Sequence, residues 1–195
     1  MYHAVVSPYE KACEAIDRAN SEDPRRDGGE PRELAYSRRM VEWARRLAPR
    51  ASEELLLAAR AQHVRRWTVP RESYPAGRAG YLRWREDLKK RHAGTAAELL
   101  EAAGYGPESV AKVRTILLRK NLAADPEGQT LEDAACLVFL EREFAPFAAK
   151  TEEAKVEDIL RKTWEKMSPA ARGLAKGLAH GPREEALLAR ALGSG

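Results

Sequence analysis

His63 and His92 bracket the densest positive charge in the chain. Between Arg60 and Arg91 stand ten Lys or Arg residues (Arg60, Arg65, Arg66, Arg71, Arg78, Arg83, Arg85, Lys89, Lys90 and Arg91) against three acids, Glu72, Glu86 and Asp87. That segment sums to +7 and the rest of the chain to −3, so the net charge of +4 comes from one local excess. Trp67, Tyr81 and Trp84 lie among the arginines. Guanidinium groups grip phosphoryl oxygens in pairs of hydrogen bonds, and imidazole moves protons near neutral pH. A basic, aromatic segment flanked by histidines therefore predicts an anion site. Arg65, Arg66, Trp67, Arg71 and Arg78 are its expected substrate-binding residues. They fall around a helix end and a loop rich in Pro and Gly, where sites are commonly built.

The elements that must position these groups read as helix after helix. Ser7-Pro8 supplies a cap and a first-turn proline. The next helix sets Ala12, Ile16 and Ala19 on one face, and the run Arg25 to Glu30 reads as a polar loop. Pro31 opens a second helix with Leu34, Met40, Val41, Ala44 and Leu47 on its apolar side. Ser52 caps a third, carrying Leu55, Leu56, Ala59 and His63. After a break from Thr68 to Gly77, a long helix runs from about Arg78 to Ala103, with an interruption expected near Gly94. Pro107 starts the next helix, through Val110, Val113, Ile116 and Leu117. Asp125-Pro126 and Gly128 read as a loop, and Thr130 to Phe144 as a central helix. Thr151 to Met167 is amphipathic, and Ser168-Pro169 and Pro182 open two short helices. No alternating strand pattern and no fixed-period repeat is visible.

Each candidate has a structural role competing with a chemical one. His63 lies where the helix dipole favours a histidine at a C-terminus. Asp133 closes the run Thr130-Leu-Glu-Asp133, which fits a capping box with Asp in place of Glu. Trp43, Trp67, Trp84 and Trp164 are of a type that more often fills a core than stacks on a ligand.

The runs LLLAARAQH (ending at His63), HAGTAAELLEAAG (starting at His92) and LEDAACLVFLE (containing Asp133) occur in this order. The arrangement resembles the HD superfamily of all-helical, metal-dependent phosphohydrolases, over roughly Leu34 to Glu141. The resemblance implies that His63, His92 and Asp133 are catalytic and hold a divalent metal ion that activates water. Two positions depart from the pattern. Tyr36 stands where the first His of such a site would be, and Gln62-His63 where His-Asp would be.

The segments ELAYSRRMVEWARRLAP, LAARAQHVRRW, PRESYPAGRAGYLRWREDLKKRH, QTLEDAACLVFLE and KVEDILRKTWEKMSP also resemble the family described as domain of unknown function 4202. That resemblance spans the whole chain and implies no particular activity.

The expectations are these. The fold is all-α, an HD-like single-domain helical bundle over 1–167 with a helical tail over 168–195. The function is that of a phosphate-handling enzyme acting on a nucleotide or other small phosphorylated substrate, with a divalent metal as cofactor. The alternative is a noncatalytic module that binds RNA or a nucleotide and has lost the metal. Two isolated cysteines, Cys13 and Cys136, make no disulfide framework and point to a reducing, cytoplasmic setting. No run of 18 apolar residues suggests a membrane partner.

Overall fold

Capping chemistry sets where the helices begin. The computed structural model describes residues 6–120 and 122–193. The Ser7 hydroxyl accepts the Glu10 N–H, and the Glu10 carboxylate accepts the Ser7 N–H at 2.8 Å, a reciprocal capping box that starts α1 (Pro8–Ser21). α2 covers Arg32–Leu47 and α3 Glu53–Ala61, the latter capped by Ser52, whose hydroxyl accepts the Leu55 N–H at 3.1 Å. α4 is the long helix, Gly77–Ala103, and α5 covers Pro107–Leu118. α6 (Pro126–Val138) leads through a π-helical turn, Phe139–Glu143, into α7 (Phe144–Ala148). α8 (Glu153–Lys166), α9 (Pro169–Ala175) and α10 (Pro182–Leu192) complete the described chain. The protein is all-α, as its punctuation implies.

Three local readings are corrected. The run Arg25 to Glu30 is more than a loop. β1 (Arg26–Asp27) and β2 (Glu30–Pro31) form a two-stranded antiparallel hairpin, Arg26 opposite Pro31 and Asp27 opposite Glu30. Its two-residue turn needs positive φ at both positions, which Gly28 (59°) and Gly29 (87°) supply without a Cβ penalty. The interruption at Gly94 is absent. α4 runs through it, because one glycine costs a helix only about 1 kcal/mol and its neighbours Ala93, Ala96 and Ala97 are buried. The third correction is at Asp125-Pro126, which begins a helix. The Asp125 carboxylate accepts the Gly128 N–H at 2.9 Å, so α6 starts four residues before Thr130.

The chain packs as two compact units, the first ending at Leu131 and the second beginning at Glu132. The first is built from α1 to α5. Ile16, Met40, Leu55, Leu57, Leu100 and Ile116, one or two from each helix, are almost wholly withdrawn from water. Each such side chain contributes about 1.5–3 kcal/mol by burial. In the second unit Leu137, Phe144, Leu160 and Leu187 play that part. Arg190 on α10 grips Glu153 and Glu157 of α8 at 2.7 and 2.6 Å. The boundary expected at 167/168 lies inside this second unit, where Ser168 caps α9. No described helix is long and apolar enough to cross a membrane.

Candidate functional site

The first unit draws its polar residues to one place. Helix spacing puts Glu33 and Tyr36, three residues apart, on the same buried side of α2. α3 ends at Ala61, so Gln62 and His63 sit just past it. Arg65 then adopts a left-handed conformation (φ 53°), uncommon for a residue with a Cβ, and reverses the chain. The reversal brings Arg66 back onto His63. The Arg66 N–H donates to the His63 carbonyl at 2.9 Å, and its guanidinium Nη1 lies 2.8 Å from His63 Nε2. α4 contributes His92, which is 4% exposed.

The rings are in contact. Tyr36 stacks on His63 with centroids 4.1 Å apart and planes within 12°. His92 lies beside His63 at 5.8 Å between centroids. The structure therefore brings the rings of His63 and His92 together, with Tyr36 joining them from α2.

Hydrogen-bond partners fix the protons. Arginine only donates, so His63 Nε2 is the acceptor and the ring proton sits on Nδ1, facing Glu33 Oε2 at 3.3 Å. In His92, Nδ1 lies 2.9 Å from the Val64 carbonyl, which only accepts, so the proton again sits on Nδ1. The result is two neutral imidazoles, each with a lone pair on Nε2. That of His92 has no partner among the described residues.

Glu33 is itself held. Its Oε1 accepts from Arg25 at 2.7 Å, and the same guanidinium makes a two-pronged contact with Asp23. The Asp23 carboxylate also accepts the Glu33 N–H at 3.2 Å.

Burial and charge act in the same direction on the imidazoles. Burial, then the positive charges of Arg66, Arg119, Arg32 and Arg25, hold His63 well below the ordinary histidine value. Burial, then the neighbouring His63, pushes His92 down to about 3. Glu33 is raised by burial, against the pull of Arg66 and Arg25. Burial raises Asp23 too, but its hydrogen bonds from Arg25 and from backbone N–H groups outweigh that and keep it low. Four guanidinium groups against two carboxylates leave the surroundings of His63 net positive.

Other polar atoms here lack partners as well. The Gln62 amide reaches the Tyr36 hydroxyl at 3.5 Å, but its Oε1 is unpaired and buried; on α1 of the same unit both polar atoms of the Asn20 side chain are likewise unpaired and buried. A buried polar atom left without a partner costs about 1–3 kcal/mol, and such groups are kept where water or a ligand completes them.

The remaining sequence candidates take no part in the contacts described above. Arg71 donates to the carbonyls of Tyr74, Pro75 and Gly77, and so ties its own loop. Arg65 and Arg78 are exposed, and Trp67 is half-buried. Asp133 belongs to the second unit. It is not in a capping box, since Thr130 to Asp133 lie inside α6, and its Oδ1 accepts the Ser168 N–H at 2.9 Å. Glu33, Asp23, Arg25 and Arg119 had no distinguishing signal in sequence. Glu33 reads there as an ordinary first-turn acid.

Among the described residues, no group of three or more His, Cys, Asp or Glu side chains is placed to hold a metal ion. The two imidazoles find no third ligand among the described residues, and an ion on His63 Nε2 would have to displace Arg66. The surrounding guanidinium charge also repels a dication. This donor set does not fit a metal.

The first unit is thus an all-helical unit that sets His63 beside His92 in a positive field. The chain belongs to the family described as domain of unknown function (DUF4202), whose family model matches residues 10–188. None of the curated proteins and none of the solved structures compared with it matches.

Proposed function

We propose that the first unit is a phosphate-handling enzyme acting on a nucleotide or another small phosphorylated substrate at the His63–His92–Arg66 site. One observation supports this above the rest. Two neutral imidazoles, His92 buried and His63 half-buried, keep their Nε2 lone pairs, and that of His63 lies against a guanidinium in a net positive field. An entering phosphoryl group would draw Arg66 onto its oxygens and release His63 Nε2. That nitrogen takes a proton from the attacking water as the new P–O bond forms. Glu33 stabilises the resulting imidazolium through Nδ1–H, as an orienting carboxylate does for a general base. The imidazolium then returns the proton to the departing oxygen as the ester P–O bond breaks. Arg32 and Arg119 offset charge on the phosphoryl oxygens. The scheme is a hydrolase without a metal. Cys13 and Cys136, not joined in a disulfide, fit a cytoplasmic setting.

The test is calorimetry with inorganic phosphate and nucleoside monophosphates, beside a turnover screen of phosphoesters in chelator. Arg66→Ala is expected to weaken binding by about 1.5–3 kcal/mol, the worth of a hydrogen bond to a charged group. His63→Gln should abolish turnover and spare binding. Binding without turnover in the wild type would favour the noncatalytic module. Turnover that appears only with added divalent metal would contradict the scheme.

A further inference from the structure

α4 changes its buried face midway. From His92 onward it buries His92, Ala96, Leu100 and Ala103, spaced so that they lie along one stripe. Followed toward the N-terminus at the same spacing, that stripe continues through Lys89, Arg85, Tyr81 with Leu82, and Arg78. There it is no longer the packed side. The first half of the helix instead turns Trp84 and Leu88 inward, against Val69 and Tyr74. The Trp84 indole N–H anchors this packing by donating to the Val69 carbonyl at 3.0 Å.

The outward stripe is unusual in composition. Tyr81 and Leu82 are 43% and 50% exposed, two of the three large hydrophobics so exposed among the described residues. Arg85 lies over the Tyr81 ring at 5.7 Å. Neither Arg78 nor Arg85 has an acidic partner among the described residues. Arg83 and Lys90, on the other side of the helix, are near Asp87 and Glu86. The stripe therefore sets two cations without an acidic partner among the described residues, Arg78 and Arg85, around an exposed aromatic, and ends at buried His92 beside His63.

We infer that this stripe is a track for a single-stranded nucleic acid whose terminal phosphate enters the His63–His92–Arg66 site. The inference rests on the phosphate-handling reading of that site and names its substrate class. Cations at helical spacing match the phosphate backbone, and an exposed aromatic with a guanidinium on its face is a platform for a base. From Arg78 to His92 the track is about 21 Å long, at 1.5 Å per residue, room for a few nucleotides.

The experiment uses the full chain and a labelled 5′-phosphorylated oligouridylate of about ten nucleotides, within the range of single-strand site sizes. Binding is read by fluorescence anisotropy at several salt concentrations. An oligothymidylate of equal length, UMP and polyglutamate serve as comparisons. The oligonucleotide is expected to bind at least about tenfold tighter than UMP, with affinity falling as salt rises. Arg78→Glu combined with Arg85→Glu should reduce the salt slope by about 1.4, the value for two lost phosphate contacts on a single strand, and leave UMP binding unchanged. Tyr81→Ala should weaken the oligonucleotide roughly five- to a hundredfold. Oligothymidylate binding as tight as oligouridylate would support a track that does not read the 2′-hydroxyl, and weaker binding one that does. An oligonucleotide that binds no tighter than UMP, or is indifferent to the double variant, overturns the track and leaves the pocket intact. Polyglutamate binding as tight as the oligonucleotide overturns the nucleic-acid assignment in favour of an acidic protein surface. UMP binding indifferent to Arg66→Ala would instead overturn the pocket reading, on which the track depends.

Discussion

Glu33 and Asp133 are both carboxylates on helices, and both are 3% exposed, yet they are embedded in different chemistry. Asp133, in the second unit, accepts the backbone N–H of Ser168 and so helps begin α9. Glu33, in the first unit, joins a chain of charges: Asp23 to Arg25, Arg25 to Glu33, Glu33 to His63, His63 to Arg66. Burial is the same for both. What separates them is the partner. A backbone N–H makes a carboxylate structural, while an imidazole whose far nitrogen is an unprotonated acceptor makes one an orienting group for proton transfer. Orphaned polar atoms follow the same division. His92 Nε2, Gln62 Oε1 and the Asn20 amide all belong to the first unit.

The sharpest way to break this contrast is conservative substitution. Glu33→Gln keeps the shape but removes the charge that would stabilise a His63 imidazolium. Turnover should fall on the order of 10²–10⁴-fold, the usual worth of general acid–base assistance, with phosphate affinity kept or improved. Steady-state kinetics beside calorimetry decide it. A variant with undiminished kcat would return Glu33 to the same structural status as Asp133.

Much of the fold was legible in sequence. Ser7-Pro8, Ser52, Pro107, Ser168-Pro169 and Pro182 each mark a helix start that the structure has, because caps and first-turn prolines act locally. The failures are also local in cause. At Gly28-Gly29 a polar run concealed a hairpin, since the signal lies in required φ values and not in hydrophobic pattern. At Asp125-Pro126 a loop reading gave way to a cap. The site was half legible. His63, His92 and Tyr36 could be singled out by type and order, but Glu33, Arg25 and Arg119 look like ordinary surface charges. Only the packing of α1 to α5 with the hairpin reveals them. Arg71 showed the reverse. It stood out in sequence, and its donors are occupied by its own loop.

Acid should separate the two units next. A histidine whose folded pKa is depressed is stable as the neutral form. Its contribution is present above the unfolded value near 6.5 and is lost as pH falls toward the folded value. For His92, at about 3 when folded, the loss between pH 7 and pH 5 is about 2 kcal/mol. His63 adds in the same direction. Glu33, raised by burial, works against them, because its folded state holds a proton more readily. Urea unfolding of the wild type at pH 7 and pH 5, beside His92→Asn, should show this slope and its reduction in the variant. An equal slope in both would remove His92 from the account.

A smaller effect is expected in the second unit. Asp133→Ala removes an acceptor from the start of α9 and should cost about 1–2 kcal/mol in stability, the range for a lost helix cap. Phosphate binding by the first unit should be unaltered. Chemical denaturation and calorimetry together check it. A loss of phosphate binding at unchanged stability would give Asp133 the chemical role that its place in LEDAACLVFLE suggested.

His63 and His92 are taken to be neutral, with unprotonated Nε2 atoms that respond to phosphate, that of His63 held by Arg66 and that of His92 without a partner among the described residues. Nitrogen-15 NMR of the histidine rings tests it most directly, with inorganic phosphate and UMP as titrants. Both rings are expected to carry their proton on Nδ1 and to stay neutral well below pH 6.5. Added phosphate should move the His63 Nε2 resonance as Arg66 turns to the anion, and leave His180 in the second unit unmoved. Rings that protonate near pH 6.5 and do not respond to phosphate or UMP would contradict it.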